Sequence, residues 1–75
     1  MHNWGDNMDV KIYTLPTCGI CQVMKKKMAG KNINYTELNF EDYQNILNTN
    51  RAPVLQIEDN FLYSPTEINN WINAQ

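Results

Sequence analysis

Two cysteines are the only thiols in this 75-residue chain, and they share one tetrapeptide, Cys18-Gly19-Ile20-Cys21. A thiol attacks a disulfide only as its thiolate. At the first turn of a helix a cysteine faces unpaired backbone N–H groups and the positive end of the macrodipole, which lowers its pKa. Two intervening residues bring the second sulfur within reach of the first, so a mixed disulfide formed on Cys18 can be resolved by Cys21. The spacing thus suits a reversible two-electron dithiol. Cys18, preceding the helix, is expected to be the exposed attacker, and Cys21, about one turn in, the less accessible resolver. Gly19 and Ile20 are neutral and add no charge to tune the thiolate.

Two other uses of the pair stand beside this one. Half of a structural zinc site needs two more Cys or His ligands, and the sole histidine is His2, near the N-terminus. No metal site is expected unless two chains share one. Two core cysteines without chemistry belong at apolar helix-face positions, yet Cys18 falls before the helix and close to Pro16. There is no Ser-His-Asp set, phosphate loop or histidine-carboxylate cluster, so hydrolytic and metal-dependent mechanisms lack their parts.

The elements that must position the cysteines read as follows. Val10 to Thr14 is β-branched and aromatic and ends near the breaker Pro16, which predicts a strand. From Gly19 the period changes: Ile20, Val23, Met24 and Met28 recur at helical spacing, with Gly30 as the stop. Asn34 to Leu38 predicts the next strand. Asn39 then caps a short helix in which Tyr43, Ile46 and Leu47 share a face, ending at Asn48-Thr49-Asn50. Val54 to Ile57 and Phe61 to Tyr63 predict a hairpin around Glu58-Asp59-Asn60. Ser64-Pro65-Thr66-Glu67 is a capping box with proline at the first helical position, and Ile68, Trp71 and Ile72 form the stripe of the last helix. The order β-α-β-α-β-β-α gives an α/β fold: a four-stranded mixed sheet with three helices, its first two strands parallel through a right-handed crossover. Residues 10–75 form one domain, and residues 1–9, which include a second methionine at Met8, read as a disordered leader.

Composition narrows the function. At 75 residues, 43% hydrophobic and 19% charged, the chain fits one small globular domain. A net charge of -2 offers no basic footprint for nucleic acid. The run Lys25-Lys26-Lys27 reads as a solvated helix face. No apolar segment approaches the roughly 20 residues of a membrane span, and no signal peptide is evident, so no membrane role is expected and the cytoplasm is the expected compartment. In reducing surroundings a cysteine pair is more often catalytic than a permanent staple.

The residues Ile12-Tyr13-Thr14, Thr17-Cys18-x-x-Cys21, a helix, a strand, a short helix, Pro53-Val54 and a hairpin together resemble a glutaredoxin-like member of the thioredoxin fold, from Val10 to the last helix. The resemblance implies a thiol-disulfide oxidoreductase serving electron transport and cell redox homeostasis, with no bound cofactor and acting as a monomer. It implies that Pro53 takes the cis form beside the cysteines and that the Ala52 backbone contacts the substrate. Tyr13 would lie under the cysteine loop, where its hydroxyl can reach toward the thiolate, although core packing is the commoner role for such a residue.

Departures bear on the substrate. Glutaredoxins carry a lysine before the first cysteine that binds a glutathione carboxylate, and Leu15 stands there. Their Gly-Gly and Asp at the last helix are replaced by Tyr63-Ser64-Pro65-Thr66-Glu67. Arg51 is a candidate replacement cation, equally readable as a solvated loop residue. Ser64 and Thr66 can offer helix N-terminal N–H groups to a carboxylate, although capping alone accounts for Ser64. Glutathione is therefore a candidate co-substrate. The aromatic-x-Pro segment is also similar to the redoxins that reduce ribonucleotide reductase and draw electrons from thioredoxin reductase. The rival of another class is a redoxin-fold binding module whose cysteines are idle.

Overall fold

The structure is a computed structural model that describes residues 9–75. The expected leader, with His2 and Met8, lies outside the described residues apart from Asp9. The strands are β1 (Val10–Thr14), β2 (Thr36–Asn39), β3 (Val54–Ile57) and β4 (Asn60–Leu62). The helices are α1 (Gly19–Gly30), α2 (Gln44–Leu47), which follows a 3-10 turn at Phe40–Tyr43, and α3 (Pro65–Asn73). This is the expected order. The sheet runs β2-β1-β3-β4, with β1 parallel to β2 and antiparallel to β3, and β3 antiparallel to β4.

Because β1 is central, both its faces are covered, and strand alternation divides the core in two. Val10 and Ile12 join Leu55 and Ile57 against Met24 and Met28 of α1 and Ile68 and Ile72 of α3. On the opposite face Tyr13 and Val54 pack with Phe40 and Leu47.

Helix α1 buries only half of the stripe that its periodicity predicts. Cys21, Met24 and Met28 are buried, whereas Ile20 and Val23 are 48% and 50% exposed. Each of these two precedes a buried residue by one position and is therefore rotated about 100° from it. Once Cys21 faces the sheet, Ile20 and Val23 cannot. Gly30 is the last helical residue rather than the stop. The left-handed conformation falls on Asn32, at φ 59°. Its N–H donates to the Ala29 carbonyl at 3.1 Å, and that of Ile33 donates to Met28 at 3.0 Å, the paired bonds of a Schellman termination.

Strand β2 begins two residues later than expected, at Thr36, where its register opens opposite Lys11. Asn39 caps the 3-10 turn by accepting the Glu41 N–H at 2.9 Å. Of the predicted apolar face beyond it, Leu47 is buried, Tyr43 half-buried and Ile46 71% exposed. Phe40, absent from that predicted face, is buried instead. The hairpin turn is one residue tighter, since Asn60 pairs with Ile57 and Glu58 takes the left-handed conformation at φ 57°. At α3 the Ser64 hydroxyl accepts the Glu67 N–H at 3.1 Å, the forward bond of the box. Ile68 and Ile72 are buried, and Trp71 packs half-buried against the same core.

Candidate functional site

Thr14 ends β1, and the chain turns at once: the Cys18 N–H donates to the Leu15 carbonyl at 3.1 Å, closing the turn that delivers Cys18 to α1. Cys18 is the N-cap, extended at φ -88° and ψ 106°, and its Sγ accepts the Cys21 N–H at 3.1 Å. A sulfur therefore occupies the capping place usually held by a serine or aspartate oxygen. No acidic residue lies in the first turn to oppose the helix dipole. Cys18 and Cys21 are joined as a disulfide, their Cα atoms 5.2 Å apart. Cys18 is half-buried, while Cys21 is fully buried beneath the helix.

The sheet register brings the other end of the molecule to the same place. Tyr13 pairs with Val54, so Pro53, one step before β3, falls alongside the exit of β1 into the cysteine loop. Pro53 is buried and its bond to Ala52 is cis. Ala52 packs against the second core. Arg51, one residue earlier, is exposed, and its backbone N–H donates to Thr49 Oγ1 at 3.4 Å. Strand β4 returns antiparallel to β3, which puts the start of α3 at this end too. There Ile20, Val23, Met24, Lys27, Pro65 and Thr66 border an open cleft of about 380 Å³ between the two helices. Thr66 is exposed on its wall, whereas the Ser64 hydroxyl is occupied by capping.

Tyr13 is packed in the second core, the commoner of its two expected roles, and its hydroxyl is turned to β3 rather than to the cysteines. Its hydroxyl donates to Gln56 Oε1 at 2.7 Å, and its ring meets Tyr43 edge-on at 5.3 Å. Alternation along β1 puts Tyr13 on the face opposite Val10 and Ile12, hence opposite α1. Burial raises its phenol pKa above the ordinary value. Leu15, in the place of the missing lysine, packs against the same second core.

A polar cluster beside the loop had no counterpart in the sequence reasoning. Thr14, buried at the end of β1, donates to Glu37 Oε2 at 2.7 Å, and Lys25 Nζ donates to the same oxygen at 2.8 Å. The Lys25 ammonium, followed by the Thr14 hydroxyl, holds the Glu37 carboxyl below its ordinary pKa. Lys27 bonds Asn69 of α3, and Lys31 reaches the carbonyls of Asn73 and Gln75 at the end of that helix. Of the lysine run, Lys25 and Lys27 are thus engaged with neighbouring elements rather than simply solvated. No local pattern signals such bonds, because the partners are 12 and 42 positions apart.

The sheet order and helix placement are those of the thioredoxin fold. In sequence the chain is 28% identical over 60 residues to an uncharacterized glutaredoxin-like 8.6 kDa protein in the rubredoxin operon of Clostridium pasteurianum, a match that spans 71% of this chain and 80% of the relative. Among solved structures it resembles the glutaredoxin-like NrdH-redoxin of Escherichia coli, described by its thioredoxin-like activity profile. That likeness has TM-score 0.66 and 20% identity, covering 83% of this chain and 92% of the other. A glutaredoxin from Brucella melitensis superposes with TM-score 0.69 and 22% identity, over 88% and 79% of the two chains. The chain spans 35% of a Nu-class GST from Haemonchus contortus, which matches 89% of it with TM-score 0.75 and 11% identity. No family model matches the sequence. Among the described residues no helix is long and apolar enough to cross a membrane.

Proposed function

We propose that the chain is a small thiol-disulfide oxidoreductase working through a Cys18/Cys21 dithiol. The observation that carries this is the unequal setting of the two sulfurs: Cys18 half-buried at the helix N-cap, Cys21 buried one turn in. In the disulfide form Cys18 Sγ accepts the Cys21 N–H, and in the reduced protein the same N–H and the helix dipole stabilise a thiolate at that place. It attacks one sulfur of a substrate disulfide, forming a mixed disulfide and expelling the first substrate thiolate. Cys21 then gives up its proton and attacks Cys18 Sγ, expelling the second substrate thiolate and leaving the Cys18–Cys21 disulfide. Two electrons have passed to the substrate, whose two thiolates take up one proton released by Cys21 and one from solvent. Ala52 and cis-Pro53, beside the loop, align the extended substrate backbone.

Electrons return to the Cys18–Cys21 disulfide from glutathione or from thioredoxin reductase, regenerating the dithiol. With Leu15 in place of the usual lysine, the glutathione carboxylates would have to be met by Arg51 and by the backbone N–H groups around Thr66. The likeness to NrdH-redoxin favours a thioredoxin-like donor and a protein disulfide, such as that of ribonucleotide reductase, as substrate.

Substitution at each cysteine tests the cycle. Cys18→Ser should abolish turnover of a disulfide substrate, while Cys21→Ser should still form the mixed disulfide and stall there. An active Cys18→Ser protein sinks the mechanism. Alkylation of Cys18 across pH separates this function from that of an idle binding module, because an attacking thiol should titrate clearly below about 8.5.

A further inference from the structure

Thr14 and Lys25, the two donors that meet on Glu37 Oε2, bracket the cysteines. Thr14 is the last residue of β1 before the loop, and Lys25 stands one helical turn beyond Cys21. Glu37 belongs to neither element but to the adjacent strand β2, in register with Ile12. One carboxylate oxygen therefore accepts from the strand that enters the cysteine loop at 2.7 Å and from the helix that leaves it at 2.8 Å. Thr14 is buried and the Lys25 side chain is 18% exposed, while the Glu37 side chain between them is 44% exposed.

Building on the dithiol function proposed above, we infer that Glu37 is a positioning residue for the cysteine pair, whose carboxylate fixes helix α1 against the end of β1 and thereby favours closure of the Cys18–Cys21 disulfide. The disulfide holds the two sulfurs together whether or not Glu37 is present. In the dithiol form only the surrounding structure does so, and closure is opposed by whatever freedom the loop and helix start retain. A clamp across that segment reduces this freedom in the dithiol alone. Its removal shifts the equilibrium toward the thiols. A merely structural role would weaken the oxidised and reduced folds alike, and that loss would cancel from the redox equilibrium.

The full chain is equilibrated in graded reduced and oxidised glutathione, where two electrons and two protons pass from the cysteine thiols to glutathione disulfide as the Cys18–Cys21 bond forms. The products are trapped with acid and measured by mass. Glu37→Ala should lower the equilibrium constant for closure about 3- to 10-fold, the scale of one or two lost hydrogen bonds. Glu37→Gln, whose amide oxygen can accept both bonds, should stay within about twofold of wild type. Circular dichroism checks the fold. If Glu37→Ala is unfolded, Lys25→Met, which removes only the helix bond, decides with an expected fall of about 2- to 4-fold. A folded Glu37→Ala protein within twofold of wild type overturns the inference, as does a Glu37→Gln protein shifted as far as Glu37→Ala, or an unshifted Lys25→Met protein where that variant decides. If wild type closes no disulfide at any glutathione ratio, the dithiol function itself fails, and the role of Glu37 fails with it.

Discussion

The two faces of the sheet are built unequally. On one, residues of β1 and β3 meet two helices of two turns or more, α1 and α3, each pointing its N-terminus at the cysteine end. On the other, Tyr13 and Val54 are covered by a 3-10 turn and a single helical turn, held chiefly through Phe40 and Leu47. A helix of one turn has almost no stability of its own, because nucleation fixes several residues for one hydrogen bond. The second layer therefore exists because of its buried side chains. Each contributes to the candidate site: the firm layer carries the two cysteines, and the loop leaving the thin layer brings Ala52 and cis-Pro53 alongside the end of β1.

Cavities made in the two layers should separate them most clearly. Ile68→Ala, between rigid helix and sheet, should cost toward the upper end of about 2–5 kcal/mol in urea unfolding. Leu47→Ala should fall toward the lower end, because the short segment can settle into the space. Equal losses would mean that the second layer is as rigid as the first. Next in size come the caps. Ser64→Ala removes the bond to the Glu67 N–H and should cost about 1 kcal/mol, whereas Asn39→Ala, capping only the 3-10 turn, should cost about 0.5 kcal/mol. A larger loss at Asn39 would reverse the ranking of the layers. Smallest of all, Val23→Ser should change thermal stability by no more than about 0.5 kcal/mol despite its place in the predicted stripe, since half its surface is already in water. A loss of the size seen at Ile68 would restore the stripe that the periodicity predicted.

Much of the site was legible because it is local. Cys18 and Cys21 are three positions apart, the strand before them and the helix after them are marked by composition and period, and Ser64-Pro65-Thr66-Glu67 reads directly as a cap. The order of elements followed from the same short-range signals. Legibility failed where a choice depended on a neighbour. Helical spacing in α1 marked Met24 and Met28, which are buried, but contact with the sheet turns Cys21 inward in place of Ile20 and Val23. The side of β1 on which Tyr13 stands depends on where the alternating strand meets α1, and its hydroxyl went to Gln56 on β3.

What the sequence by itself determined was each element's kind and the presence of a dithiol at a helix start, since backbone preference, capping and cysteine spacing act over a few residues. What only the tertiary structure decided was which faces are buried and which distant groups meet there. Thr14, Glu37 and Lys25 converge because β2 lies parallel to β1 with α1 packed on the sheet, and Ala52-Pro53 lies alongside the end of β1 because β3 runs antiparallel to it. Such meetings depend on register and layer order, which burial of apolar surface sets for the whole chain at once.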